Sequence, residues 1–140
     1  MTRTAIDTNV LSAILKAEPN SLPLIDLLER ARGSGPLLIS PVVYSELLGT
    51  PPPTPEFVGE FLHDTGITLE EAFPLAVWEA AGVAFQAYAV RRKASGGGAP
   101  LRILADFLIG AHAQVKADRL ATLDPQHYGL AFPALTLLTL

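Results

Sequence analysis

Apolar residues recur along this chain in two rhythms. Short runs read Thr4-Ala5-Ile6, Leu37-Leu38-Ile39, Ile67-Thr68-Leu69, Arg119 to Leu123 and Leu135 to Leu138, each bounded by turn-forming residues. They have strand length, and Leu37-Leu38-Ile39, apolar without alternation, is the pattern of a strand buried on both faces. Between them, apolar residues return at intervals of three and four and predict helices. One runs from Val10 to Ala17 and is stopped by Pro19. A second spans Leu22 to Arg32, with Leu24, Leu27, Leu28 and Ala31 on one face and Gly33 as its expected cap. Ser40-Pro41 and Thr54-Pro55 each set an N-capping hydroxyl before a proline suited to the first helical turn. The helix opened by Ser40 ends at Gly49, before the prolines of 51–55. The helix opened by Thr54 presents Phe57, Phe61 and Leu62 and ends at Gly66. A long Ala-rich helix covers Leu75 to Lys93, with Trp78, Ala81, Phe85 and Tyr88 among its apolar residues. Ile103 to Ala117 forms another.

Strands alternating with helical segments predict an α/β fold, a three-layer α/β/α sandwich around a mainly parallel sheet. At 140 residues, 49% of them hydrophobic, the chain reads as one domain over residues 1–140 with a real core. Ser95-Gly96-Gly97-Gly98 is then a loop inside that domain, and the stretch through Gly129 and Pro133 a loop before the last strand. Between Glu79 and Arg91 the long helix carries no charge, which makes it buried or partly an interface.

Composition narrows the classes further. There is no cysteine, so disulfides and thiolate metal sites are excluded, in keeping with a reducing, cytoplasmic setting. The first apolar run is broken by Asp7 and Asn9, so no secretory leader is expected. The run from Leu75 to Val90 is too short for a membrane span and holds Glu79 and Gln86. A net charge of −4 argues against a protein that coats nucleic acid through bulk positive charge. Contact with a polyanion would need a local basic patch or bound cations.

Four acids stand out by position. Asp7 ends the first strand, where ligands of parallel α/β sheets bind, although Asp7, Thr8 or Asn9 must also cap the helix that follows. Glu46 falls within the apolar stripe of its own short helix, between Val42, Val43 and Leu47, where a lone carboxylate is costly. Asp106 interrupts Ile103-Leu104-Ala105 and Phe107-Leu108-Ile109 and shares a face with Gly110, Ala113 and Ala117. Asp124 ends a strand as Asp7 does, but Asp-Pro is also an ordinary turn opener. His63, His112 and His127 share no metal-ligand spacing and read as surface or core residues, while Asp26, Glu29, Glu70 and Glu71 read as solvated charges. No phosphate-binding glycine loop and no nucleophile elbow is present. If the four acids meet at one sheet edge, a hard divalent cation, Mg²⁺ or Mn²⁺, is their natural partner. Such an ion activates water and neutralises a phosphoryl transition state, which would let an acidic protein act on a polyanion.

Taken in order, Ile6-Asp7-Thr8-Asn9-Val10-Leu11, Ser40 to Leu47, Ala105 to Ala113 and Leu120-Ala121-Thr122-Leu123-Asp124 resemble the PIN-domain family of metal-dependent ribonucleases. Within it, the chain is most similar to the small toxins of VapBC toxin–antitoxin systems. The resemblance spans nearly the whole chain. It implies Mg²⁺- or Mn²⁺-dependent endoribonuclease activity, a homodimer, and a small antitoxin that blocks the pocket. Asp7, Glu46 and Asp106 would be catalytic metal-site acids, with Asp124 at the family's most variable acid. Asn9 and Thr122 would support the pocket through hydrogen bonds. His127-Tyr128 and the late Phe132 depart from the family's usual sequence after the last acid. Arg91, Arg92, Lys93 and Arg102 flank the glycine loop near Asp106 and are candidate RNA contacts, or simply a helix end compensating its dipole. Two other readings remain: a non-catalytic PIN-fold module binding RNA or protein, and a structure-specific DNA nuclease, for which no long clamping insertion is evident.

Overall fold

The computed structural model describes residues 1–49, 54–98 and 101–140. The prolines of 51–53 and the end of the glycine loop, 99–100, lie outside the described residues.

Five three-residue strands form one parallel sheet: β1 (Thr4–Ile6), β2 (Leu37–Ile39), β3 (Ile67–Leu69), β4 (Arg119–Ala121) and β5 (Thr136–Leu138). Their order across the sheet is β3-β2-β1-β4-β5, with Ala5 in register with Leu38 on one side and Leu120 on the other. β1, β2 and β4 are almost wholly buried, as the unbroken apolar run of β2 leads one to expect.

Parallel neighbours need crossover connections, and these are right-handed. From β1 the chain moves outward to β2 through α1 (Thr8–Leu15) and α2 (Ser21–Ser34), then to β3 through α3 (Pro41–Leu48) and α4 (Pro55–Thr65). It returns past β2 and β1 to β4 through α5 (Leu75–Ala94) and α6 (Leu104–Lys116), and reaches β5 through α7 (Pro125–Ala131). Reversing the direction of travel reverses the face covered. The helix contacts divide accordingly: α1, α2, α3 and α4 pack in one series, and α5, α6 and α7 pack together, with α3 also meeting α6. This is the α/β/α sandwich expected from the sequence. The direction reverses at β1, so β1 and β4 part at their carboxyl ends and leave a crevice there.

Start signals hold at α3 and α4, where Ser40 Oγ and Thr54 Oγ1 accept from the amides of Val43 and Phe57. Several stop and face assignments shift. α2 runs through Gly33 and is capped by Gly35, where an added Cβ would lie 2.2 Å from the Thr2 carbonyl oxygen. That close approach requires glycine at 35, whereas Gly33 faces open space. On α4 the buried pair is Val58 and Leu62, four residues apart. Phe57, one residue off that line, is 53% exposed. On α5 the buried line is Val77, Ala81 and Ala84, and Trp78 is 49% exposed, its ring edge-on to Phe73. So the uncharged helix is half buried. β4 ends at Ala121; the Thr122 amide still bonds the Leu138 carbonyl at 3.1 Å, and Leu123 and Asp124 lie beyond the ladder. The stretch expected as a loop before β5 holds α7, opened by Asp124-Pro125 and anchored by buried His127 and Tyr128.

Glu70 is not solvated. Its carboxylate lies 2.8 Å from His112 Nε2 and 3.2 Å from the Arg3 guanidinium, joining three distant segments. His112 is buried, Phe73 stacks on it, and burial holds its pKa below the usual imidazole value. His63 is exposed and His127 buried.

Gly110 sets how closely α6 approaches the segment after α7. A Cβ there would lie 2.3 Å from the buried Phe132 ring. Alanine at 110 would gain helix propensity of ~1 kcal/mol but overpack this contact. Gly110→Ala is therefore expected to lower unfolding free energy by about 1–3 kcal/mol in urea titration. An unchanged or raised midpoint would contradict this packing.

Candidate functional site

The crevice between β1 and β4 collects the four acids. Asp7, Glu46, Asp106 and Asp124 line one cavity of about 270 Å³, together with Thr8, Asn9, Ser12, Arg102, Ile109 and Tyr128. Each acid arrives on a different element. Asp7 follows β1, Glu46 lies in α3, Asp106 is in the first turn of α6, and Asp124 precedes α7.

Asp7 occupies the N-cap position of α1, yet its side chain makes no capping bond. It is only 5% exposed, and its carboxylate accepts instead from Thr122 Oγ1 at 2.7 Å. The backbone accounts for this placement. The Asp7 amide donates to the Ala121 carbonyl at 2.9 Å, extending the ladder one step and holding the acid against the turn after β4. Thr122 Oγ1 also accepts from the Asp124 amide at 2.9 Å, and Asn9 Oδ1 accepts from the Leu123 amide at 3.2 Å. Through these bonds Thr122 and Asn9 tie the β4–α7 turn to β1 and α1.

Glu46 is half-buried and accepts from Thr8 Oγ1 at 2.6 Å. Asp124 serves twice, its Oδ1 capping the His127 amide at 3.4 Å and its Oδ2 lying 2.8 Å from Arg102 Nη1. Turn opener and pocket acid are the same residue.

Burial pushes Asp7 up to about 6, against the opposing hydrogen bonds of Thr122, Thr8 and Tyr128 and with a further rise from the Glu46 charge. Burial, then the Asp7 charge, also pushes the Tyr128 hydroxyl far up, so it stays protonated and acts as a donor. Burial lowers the His127 pKa, the Arg102 charge adding to the effect. The notch disfavours further negative charge.

Only carboxylate, hydroxyl, amide and carbonyl oxygens are offered around the notch, a donor set that suits a hard divalent ion. Asp7 shows that such an ion would relieve an existing cost. As they stand, no three His, Asp or Glu side chains among the described residues are gathered closely enough to hold one ion. Glu46 is turned to Thr8 and Asp124 to Arg102.

With this geometry in view, comparison with known families is decisive. The model of the PIN domain matches residues 4–133. The chain belongs to the PIN-domain family. No curated protein matches it in sequence. Among solved structures, this PIN chain is similar to one from VapBC-1 of nontypeable Haemophilus influenzae, with a TM-score of 0.62 and 17% identity over 96% of each chain. It is also similar to one from DNA-bound VapBC of Salmonella typhimurium, with a TM-score of 0.62 and 16% identity over 99% of this chain and 98% of that one. A third, from FitAcB of Neisseria gonorrhoeae, gives 0.59 and 21% over 96% and 95%. At these identities the likeness is one of fold.

Of the cationic candidates, Arg102 lines the acidic notch, and Arg91, Arg92 and Arg102 line a neighbouring cleft. Lys93 is exposed and lines neither of these two. Tyr128, Thr8 and Ser12 were not singled out from the sequence. Tyr128 had a signal: it lies four residues after Asp124, on the same side of a helix that was read as a loop.

The buried acid makes a pH prediction. Between about pH 4 and 6 the native Asp7 holds a proton that the unfolded chain, with a value of 3.8, has released. The native state therefore binds more protons there, and this group's contribution to stability falls as pH rises. With chelator present, the stability gained by Asp7→Asn over wild type should grow from pH 4 to 7 by up to about 3 kcal/mol. A pH-independent difference would contradict the burial of this acid.

Proposed function

We propose that this PIN-domain protein is a metal-dependent endoribonuclease, hydrolysing RNA phosphodiester bonds as the toxin of a type II toxin–antitoxin system. One observation carries the reading: four acids from four elements line a single notch at the point where the sheet's direction reverses. On this reading Asp7, Glu46 and Asp106, with Asp124, are the catalytic acids and hold Mg²⁺ or Mn²⁺. The ion supplies an activated water and charge neutralisation at phosphorus. Thr122 and Tyr128 fix the Asp7 carboxylate through their hydroxyls. Thr8 positions Glu46, and Asn9 holds the turn that carries Asp124. Arg102, already beside Asp124, is the cation nearest a bound phosphate.

An antitoxin partner is supported by the VapBC and FitAcB structures that share this fold. Exposed Leu75, Trp78, Val83 and Val90 along α5, which is uncharged between Glu79 and Arg91, support a homodimer. No helix among the described residues is long and apolar enough to cross a membrane, which accords with a cytoplasmic protein.

The uncollected state of the acids favours a second reading, a PIN module that binds RNA or protein without cutting. One assay separates the two: incubation of single-stranded RNA with wild type and Asp106→Asn, in Mg²⁺ or Mn²⁺ and with chelator. Wild type should cleave only with metal, and Asp106→Asn should lower the rate by about a hundredfold or more, the scale of several kcal/mol of transition-state stabilisation. Equal activity in every sample would overturn the proposal.

A further inference from the structure

Beside the acidic notch lies a second cleft of about 500 Å³, within the range of small-molecule sites. The two share Arg102 and Asp124 and so adjoin one another. Their charge is opposite. Where the notch gathers carboxylates, the cleft gathers Arg91, Arg92 and Arg102, with Asp124 already engaged by Arg102.

The three arginines come from two segments. Arg91 and Arg92 stand in the last turn of α5, where the helix dipole favours cations. That account does not reach Arg102, which belongs to the loop before α6. The chain is turned back by the Tyr88 hydroxyl, which accepts from the amides of Leu101 at 3.1 Å and Arg102 at 3.3 Å. Arg92 is bonded to the Gly97 carbonyl and so steadies the glycine loop. A guanidinium carries five donors in a planar fork suited to phosphate, so the bond from Arg102 to Asp124 leaves others for a ligand.

Two further features point to a nucleotide and not a bare anion. Tyr88 and the exposed Leu130 give the cleft apolar surface on which an unstacked base can rest. His127 also lines it. The residue is 8% exposed, and its buried Nε2 has no hydrogen-bond partner among the described residues. Buried polar atoms rarely stay unpaired, and a ligand seated against His127 can supply the missing partner.

We propose that this cleft is a subsite for one nucleotide of single-stranded RNA flanking the scissile bond, its phosphate held by Arg91 and Arg102, its base resting on Tyr88 and Leu130 and met by His127. The subsite rests on the reading of the notch as the RNA-cleaving centre, and deepens it by saying how the strand enters.

The test measures binding apart from cleavage. Fluorescence anisotropy of a labelled random-sequence RNA octamer, in chelator, is compared for wild type, Arg91→Gln, His127→Gln and Lys93→Gln. Cleavage of the same octamer in Mn²⁺ is measured alongside. Arg91 is exposed, so its variant should fold normally. Arg91→Gln should weaken binding about tenfold and lower the salt slope by about one. Lys93→Gln should bind as wild type does. His127→Gln should change the relative affinities for homopolymeric octamers at an unchanged salt slope. Wild-type affinity and slope in Arg91→Gln would overturn the subsite, and a cleft built for an acidic protein segment would give that result. Normal cleavage together with it would leave the nuclease reading standing. Binding that depends on Arg91 without any cleavage would uphold the subsite and overturn the nuclease reading.

Discussion

A carboxyl group removed from water at the carboxyl edge of the central strand is the constraint around which this structure is arranged. Asp7 is placed by the ladder itself, since its amide extends the β1–β4 pairing and its side chain is left almost wholly buried at the wall of the notch. A buried carboxylate must be neutralised, hydrogen-bonded or joined by a cation. Here the protein supplies hydroxyls, from Thr122 and Tyr128, and adds Glu46 nearby, which worsens the repulsion. The arrangement costs stability that an apolar residue would not. It is intelligible as the cost of a site whose missing positive charge comes from outside the chain.

The same molecule shows what a purely structural carboxylate looks like. Glu70 is also partly buried, and it is given both the His112 imidazole and the Arg3 guanidinium, with Phe73 covering the pair. Among the described residues only Asp124 in the notch receives such a partner, Arg102, and that arginine lines the adjoining cleft as well. Glu46 and Asp7 have neutral donors alone among their described hydrogen bonds. The contrast separates acids that hold the fold together from acids the fold holds in place.

Much of this was legible in the sequence because the signals were local. Short, mostly apolar runs bounded by turn residues marked all five strands, and Ser40-Pro41 and Thr54-Pro55 marked two helix starts, each capped by its hydroxyl. Asp7, Glu46 and Asp106 stood out because each interrupts an apolar pattern, and Asn9 and Thr122 make pocket hydrogen bonds. The misreadings were decided by tertiary contacts. Nothing near Gly35 in sequence announces that Thr2 will lie against it, and Glu70 looks solvated until His112 and Arg3 arrive from 42 and 67 residues away. α7 is not evident from the sequence because Gly129 and Pro133 resemble a loop, while the helix is anchored by His127, which packs on Phe107 and Tyr128. With the helix went the view of Tyr128 as part of the notch and of His127 beside the cleft.

The central claim is that these acids share one position for a hard cation. The most direct measurement is anomalous diffraction from crystals of the protein soaked in Mn²⁺. The account predicts a peak in the notch within coordination distance, about 2.0–2.2 Å, of carboxylate oxygens from Asp7 and Asp106, with Glu46 or Asp124 turned inward from Thr8 or Arg102. Manganese bound only elsewhere, with Asp7 still held only by hydroxyl donors, would contradict it.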